Sequence, residues 1–128
     1  MARPTAKELT QRELEVMHVF WSRDPSTVAE IRSRLAAAGR DLAYTTVATL
    51  VRILSEKGFL EQINDQRPFQ YRPVRSYEEV SRSILGDLVE RVFRGSREQL
   101  LLRLMEQRKL SAKERTVLEA ILKEGKHP

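Results

Sequence analysis

Between Leu42 and Pro73 the apolar period changes once, from a helical repeat to two short strand-like runs. In L-A-Y-T-T-V-A-T-L-V-R-I-L-S-E-K-G, Val47, Leu50, Val51 and Leu54 recur at i, i+3, i+4 and i+7. That spacing is one buried face of an α-helix. The opposite face carries Thr45, Ala48, Thr49, Arg52 and Ser55, short groups around a single guanidinium. Gly58 ends the helix, because it can take the left-handed conformation that a helix terminus favours. F-L-E-Q-I and P-F-Q-Y-R-P then flank N-D-Q-R, two strand-like runs around a polar tip that carries Arg67. A helix slim enough for a DNA groove, followed by a basic-tipped hairpin, reads as a winged helix-turn-helix. The same local pattern also suits an amphipathic helix and hairpin in any small α+β domain, so the rest of the chain must decide.

Five further helix starts share one chemistry. In a capping box a Ser or Thr side chain accepts from a free N–H of the first turn, and a Glu or Gln three residues on reaches back to the cap's own N–H. The pattern occurs at Thr10/Glu13, Thr27/Glu30, Ser76/Glu79, Ser96/Gln99 and Ser111/Glu114, each before a helical apolar pattern. The first helix is expected from about Gln11 to Ser22, burying Leu14, Met17, Phe20 and Trp21. Asp24-Pro25 breaks the chain before a second, which buries Val28, Ile31 and Leu35 and ends near Gly39. A short turn to the third helix, entered near Tyr44, gives helix-turn-helix geometry. Leu60, Ile63, Phe69 and Tyr71 are expected to anchor the hairpin. The fold class is therefore mainly α with a small β-hairpin, a winged helix-turn-helix over residues 1–75.

Strand pattern gives way to helix at Pro73-Val74-Arg75-Ser76. Residues 76–128 form a second, helical module, with helices expected at about Tyr77–Arg94, Arg97–Gln107 and Ala112–Lys123. Their apolar arcs are broad. At ~100° per residue, those of the fourth helix spread over roughly 220°, where a helix against one neighbour needs only about 100°. About fifty residues cannot bury that much surface alone. Two outcomes remain open: packing onto residues 1–75, or self-association through Val80, Ile84, Leu88, Val92, Leu101, Leu104, Leu118, Ile121 and Leu122. Symmetric dimers are the commonest closed assembly.

Charge and composition narrow the class. The 128 residues carry a formal net charge of +5 and include no cysteine. The basic excess attracts polyanions, but it divides nearly evenly between the two modules and does not say which one meets nucleic acid. Without cysteine there is no disulfide, thiolate metal site or thiol switch. His18 and His127 alone do not make a metal site, so no metal and no cofactor is expected. No Gly-rich phosphate loop, G-x-S-x-G or paired carboxylate motif points to an enzyme. The N-terminal M-A-R-P-T-A-K-E-L-T has no apolar run of the kind that opens a signal peptide, and no segment reaches membrane-spanning length. A cytoplasmic protein without a membrane partner is expected.

The chain resembles the penicillinase-repressor (BlaI/MecI) family of bacterial winged-helix repressors over nearly its whole length. The likeness rests on L-T-Q-R-E-L-E-V-M-H-V-F-W, on L-A-Y-T-T-V-A-T-L-V-R-I-L-S-E-K-G-F-L, on R-P-F-Q-Y-R-P and on V-F-R-G-S-R-E-Q-L-L-L-R-L. It implies a homodimer, held by the C-terminal helices, that sits on double-stranded operator DNA with an inverted repeat and blocks transcription of antibiotic-resistance or stress genes. By position it also implies recognition residues Thr45, Thr46, Ala48, Thr49 and Arg52, with Arg67 at the wing tip. In the family's β-lactam branch a regulatory protease cleaves an Asn-Phe bond in the fifth helix; here Arg103-Leu104 stands at that place. Another branch senses copper through a cysteine-rich tail; with no cysteine and a K-E-G-K-H-P stretch at that place, thiolate copper sensing is not expected here.

The residue chemistry agrees with these roles. Thr45 and Thr46 in a first helical turn suit phosphate oxygens, which meet free N–H groups there. Ala48 and Thr49 can pack on a thymine methyl, and Arg52 can reach guanine O6 and N7 or a phosphate. Arg67 can reach the DNA backbone or the minor groove. Trp21, in register with Leu14 and Met17, reads as core rather than as a ligand platform. Two other functions fit the same fold: a regulator that binds a small effector between its halves, and a winged helix that contacts protein instead of DNA.

Overall fold

The computed structural model describes residues 9–23 and 25–124. The N-terminal M-A-R-P-T-A-K-E, Asp24 of the Asp24-Pro25 break, and the tail with His127 lie outside the described residues. The elements run α1 (Gln11–Ser22), β1 (Ser26–Thr27), α2 (Val28–Ala37), α3 (Tyr44–Glu56), β2 (Leu60–Gln62), β3 (Gln70–Pro73), α4 (Tyr77–Arg91), α5 (Arg97–Gln107) and α6 (Ala112–Glu124). Residues up to Asp87 form one compact unit, and those from Leu88 a second.

Side-chain caps set the helix starts. Thr10 Oγ1 accepts from the Glu13 N–H at 3.2 Å, and the Glu13 carboxylate accepts from the Thr10 N–H at 2.9 Å. Reciprocal pairs of the same kind open α2 at Thr27/Glu30 and α6 at Ser111/Glu114. Ser76 and Ser96 accept the Glu79 and Gln99 N–H groups at 3.1 and 3.2 Å at the starts of α4 and α5. At the far end of α3, Gly58 has φ +87°, and the Phe59 N–H donates to the Leu54 carbonyl at 2.9 Å. That left-handed turn drops Phe59 directly beneath the helix, fully buried.

In the first unit the hairpin is joined by a third strand. β1 pairs with β3 antiparallel, Ser26 opposite Tyr71 and Thr27 opposite Gln70; β2 takes the other side, Leu60 opposite Pro73. Two residues are too few to show a period in sequence, so β1 carries no legible strand signal. Three helices cover this sheet with Val16, Met17 and Phe20 from α1, Val28, Ile31 and Leu35 from α2, and Val47, Val51 and Leu54 from α3. Fully burying one such side chain contributes about 1.5–3 kcal/mol.

Several expectations need correcting. The buried stripe of α1 is Glu13, Val16, Met17 and Phe20, while Leu14 and Trp21 are only half-buried. A carboxylate occupies the first position of that stripe, which rotates the apparent apolar pattern towards Leu14. Trp21 instead donates from Nε1 to the Arg75 carbonyl at 2.9 Å. Ile63 is exposed, and the fully buried Phe59 takes its expected place as an anchor of the hairpin. Val80 and Ile84 do not lie on a free association surface. Val80 is buried in the core of the first unit, and Ile84 packs partly against it. The physical reason is that α4 follows β3 after one short turn, so its first two turns lie against the core. The division between units accordingly falls within α4, beyond Arg75.

The second unit holds α5 and α6. α4 stops at Arg91, short of the expected Arg94, because Arg94 (φ +53°) and Gly95 (φ +84°) are both left-handed. The Gly95 N–H closes this turn on the Val89 carbonyl at 2.9 Å. L-L-L-R-L-M is helical as expected, but it is not buried: Leu101, Leu102, Leu104 and Met105 are all exposed. Leu88, Val92, Leu118 and Leu122 are exposed as well, and Ile121 is half-buried.

Two stability predictions follow from this packing. Glu13 is 5% exposed at its side chain, and Lys57 Nζ lies 2.9 Å from its Oε1. Lys57→Met should therefore destabilise the first unit by about 1–3 kcal/mol, since it removes the ammonium from a buried carboxylate. Urea unfolding checks it, and a change under about 0.3 kcal/mol would contradict it. At α2, the hydrogen bond from the Thr27 N–H holds the Glu30 carboxyl below its ordinary 4.5. A lowered folded-state pKa contributes stability that is complete above pH 4.5 and lost as the pH falls through the lowered value. Glu30→Ala should thus lower the thermal midpoint at neutral pH, and the gap to wild type should shrink on acidification. A gap constant between pH ~7 and ~3 would contradict the linkage.

Candidate nucleic-acid interface

The outward stripe of α3 is short and polar. Thr45, Thr49, Arg52 and Glu56 are all exposed and, at ~100° per residue, fall within roughly 60° of one another. Thr46 and Ala48 flank this stripe and are half-buried. Arg52 Nη1 donates to Glu56 Oε2 at 3.1 Å, an i,i+4 pair with both side chains largely in solvent.

The start of α3 differs from the other helix starts of the first unit. Its N-cap is Ala43, with no side-chain cap hydrogen bond and no acidic residue in the first turn. α1, α2 and α4 each begin with a Thr or Ser cap and a Glu in the first turn. A helix start without either keeps its partial positive charge and first-turn N–H groups available to an external anion. Thr45 and Thr46 place hydroxyls in that same turn.

The turn from α2 into α3 is tied down at both sides. Arg40 donates twice to the Glu15 carboxylate, at 3.0 and 2.7 Å, and Arg32 Nε donates to the Leu42 carbonyl at 3.0 Å. The Arg40 hydrogen bonds hold the Glu15 carboxyl below its ordinary range, and the guanidinium is raised in return. At the other end of α3, Lys57 reaches back to Glu13 on α1. The helix is thus held at entry and exit by charged contacts to α1.

The wing is organised around Asn64. Its Oδ1 accepts from the Gln70 N–H at 2.8 Å, and its Nδ2 donates to the Gln66 and Pro68 carbonyls at 3.0 and 3.2 Å. Arg67 stands exposed at the tip with its guanidinium 5.3 Å from the Phe69 ring centroid. A cleft of about 490 Å³ opens between wing and helix, lined by Thr27, Tyr44, Ala48, Arg67 and Phe69, among others. Of the residues singled out by sequence, the structure brings Ala48 and Arg67 together across this cleft. Thr45, Thr49 and Arg52 share the outward stripe, and Thr46 sits beside it. Two further residues belong to the same surface. Tyr44, half-exposed at the first position of α3, lines the cleft, and Glu56 extends the stripe. Tyr44 was legible only as a helix entry, and a Glu near a helix end reads by default as solvated.

In the second unit, apolar side chains line two open grooves of about 340 and 430 Å³, the first by Leu101, Leu104, Met105 and Leu118, the second by Val117, Leu118 and Ile121. Among the described residues, no group of three His, Cys, Asp or Glu is placed to hold a metal ion. No helix among them is long and apolar enough to cross a membrane.

Comparison with known proteins identifies this arrangement. The chain is 38% identical over 96 residues to the transcriptional regulator BlaI of Mycobacterium tuberculosis, covering 73% of this chain and 69% of that protein. It is 27% identical over 115 residues to the methicillin resistance regulatory protein MecI of Mammaliicoccus sciuri, covering 90% of this chain and 93% of that one. Among solved structures, the DNA-binding domain of the repressor BlaI superposes with a TM-score of 0.50 at 26% identity, covering 56% of this chain and 87% of that domain. These relatives are named as regulators, not as enzymes. The penicillinase-repressor profile matches residues 9–124, and the chain belongs to that family of winged-helix, DNA-binding transcriptional repressors.

Proposed function

We propose that this repressor acts as a homodimer on an inverted-repeat operator, with the first unit of each chain reading one half-site. The observation that carries this reading is the uncapped start of α3 lying beside the Arg67 wing across one cleft. Phosphate contacts position such a protein and base-edge contacts specify its site. Thr45, Thr46 and Arg67 take the first task, and Ala48, Thr49 and Arg52 the second. Leu88, Val92, Leu101, Leu104, Leu118, Ile121 and Leu122 form the dimer surface, supported by the exposure of all of them but the half-buried Ile121. The genes controlled are antibiotic-resistance genes, the role that the relative's name gives to MecI, and the protein works in the cytoplasm. A protease that reads Asn-Phe meets Arg103-Leu104 at the matching place in α5, so release from DNA uses a different bond or a different signal.

The base-reading assignment has a direct test in binding measurements on the duplex that the full-length protein selects from a randomised pool. Arg52→Ala should weaken binding by about 1–3 kcal/mol and relax preference at one position per half-site. Arg67→Ala should weaken all sequences alike and reduce the slope of log affinity against log salt by about one. If Arg52→Ala lowers affinity for every duplex equally, Arg52 is a phosphate contact and the base-reading assignment is wrong.

The dimer has its own test. Leu118→Asp should convert a sedimenting dimer into a monomer that stays folded in its first unit and binds operator far more weakly, since linking two half-site contacts makes the second effectively intramolecular. Wild-type protein that sediments as a monomer at micromolar concentration would overturn it.

A further inference from the structure

Glu56 is the one carboxylate on the outward stripe of α3, in line with Thr45, Thr49 and Arg52. A negative charge on a surface that meets phosphates opposes binding, so its position calls for a physical reason. Its Oε2 lies 3.1 Å from Arg52 Nη1, with the two side chains 64% and 62% exposed. We propose that Glu56 is a specificity-determining residue that reserves Arg52 for a base edge by making phosphate capture unfavourable. This rests on the reading of α3 as the helix that enters DNA.

The argument is electrostatic and geometric. A guanidinium has five N–H donors, and a bidentate contact to guanine O6 and N7 uses two, so one donor held by Glu56 leaves enough for the base. Arg52 without Glu56 is a long, mobile cation that the nearest phosphate captures whatever the sequence. With Glu56 in place, a phosphate reaching Arg52 must also approach the carboxylate, and two anions then share one cation. The guanine edge is a neutral acceptor and meets no such repulsion. Glu56 therefore penalises the phosphate-bound arrangement more than the base-bound one.

The test compares full-length wild type, Glu56→Gln and Glu61→Gln on two probes: the duplex most enriched by wild type from a randomised pool, and a shuffled duplex of the same composition. Glu61 pairs with Arg72 at 2.8 Å on the paired strands β2 and β3, so its substitution makes the same change of charge off the outward stripe of α3. Glu56→Gln should tighten binding to the shuffled duplex by roughly three- to tenfold with a salt slope steeper by about one. The enriched duplex should gain less, so that the specificity ratio falls. Glu61→Gln should leave that ratio at the wild-type value, and in an Arg52→Ala background Glu56→Gln should no longer change it. A ratio unmoved by Glu56→Gln, or lowered equally by Glu61→Gln, overturns the proposal while leaving α3 as the reading helix. A wild-type protein that enriches no duplex overturns that reading and the proposal with it.

Discussion

A single carboxylate, Glu13, links the start of the chain's first helix to the end of its third. Buried to 4% residual exposure, it completes the cap of α1 through the Thr10 N–H and pairs with Lys57 at the exit of α3. Taking a carboxylate out of water costs several kcal/mol unless hydrogen bonds and an opposite charge compensate, and both are supplied here. The pair therefore contributes geometry more than net stability: α3 has one position against α1 in which the buried charge is satisfied. Arg40 and Glu15 tie the turn before α3 to α1 through an exposed two-point contact. A helix whose outward stripe is only four residues long is useful for recognition only if its rotation is fixed, and the buried face of Val47, Val51 and Leu54 together with the Glu13–Lys57 pair fixes it.

The distribution of caps gives the first unit a polarity that its modest net charge does not. α1, α2 and α4 end their free N–H groups in Thr or Ser hydroxyls and place a Glu in the first turn. α3 has Ala43 as its N-cap and has neither. A side-chain cap contributes about 1 kcal/mol to a helix, so its omission is a small cost in stability. What is kept is an open helix start next to Thr45, Thr46 and the Arg67 wing. In the proposed reading, stability at this one helix start gives way to an anion site.

Much of this was legible in sequence because the signals were redundant. The face of α3 was marked by four apolar residues and closed by Gly58, and the helix starts by reciprocal cap pairs, so the order of the helices and hairpin and most of the core could be read, β1 excepted. Misreadings arose where one residue served two purposes. Glu13 is at once cap, ion-pair partner and core position, and an apolar count passes over it. Phe59 sits in the turn after Gly58, where no period applies, and Arg75, which packs over its ring at 5.0 Å while Nε donates to Glu79, looks like an ordinary linker residue. Val80 and Ile84 lie on a helix whose apolar arc serves two purposes along its length, and periodicity does not say where one ends. Tyr44 and Glu56 reached the candidate interface only through the position of the wing and the side-chain pairing.

The second unit raises a problem of stability that its own residues cannot solve. α5 and α6 are 11 and 13 residues long, lengths at which an isolated helix is marginal even when well capped. Neither has a buried residue within one chain. Helices of this length persist through burial of an apolar face, and each Leu taken fully out of water contributes about 1.5–3 kcal/mol. In the proposed homodimer, folding of this unit and association are then one process, and its stability depends on protomer concentration. A signal that loosens α5 need not act on the DNA-reading unit at all. In the proposed homodimer, weakening association removes the linkage between two half-site contacts, and each remaining contact binds the operator more weakly than the linked pair.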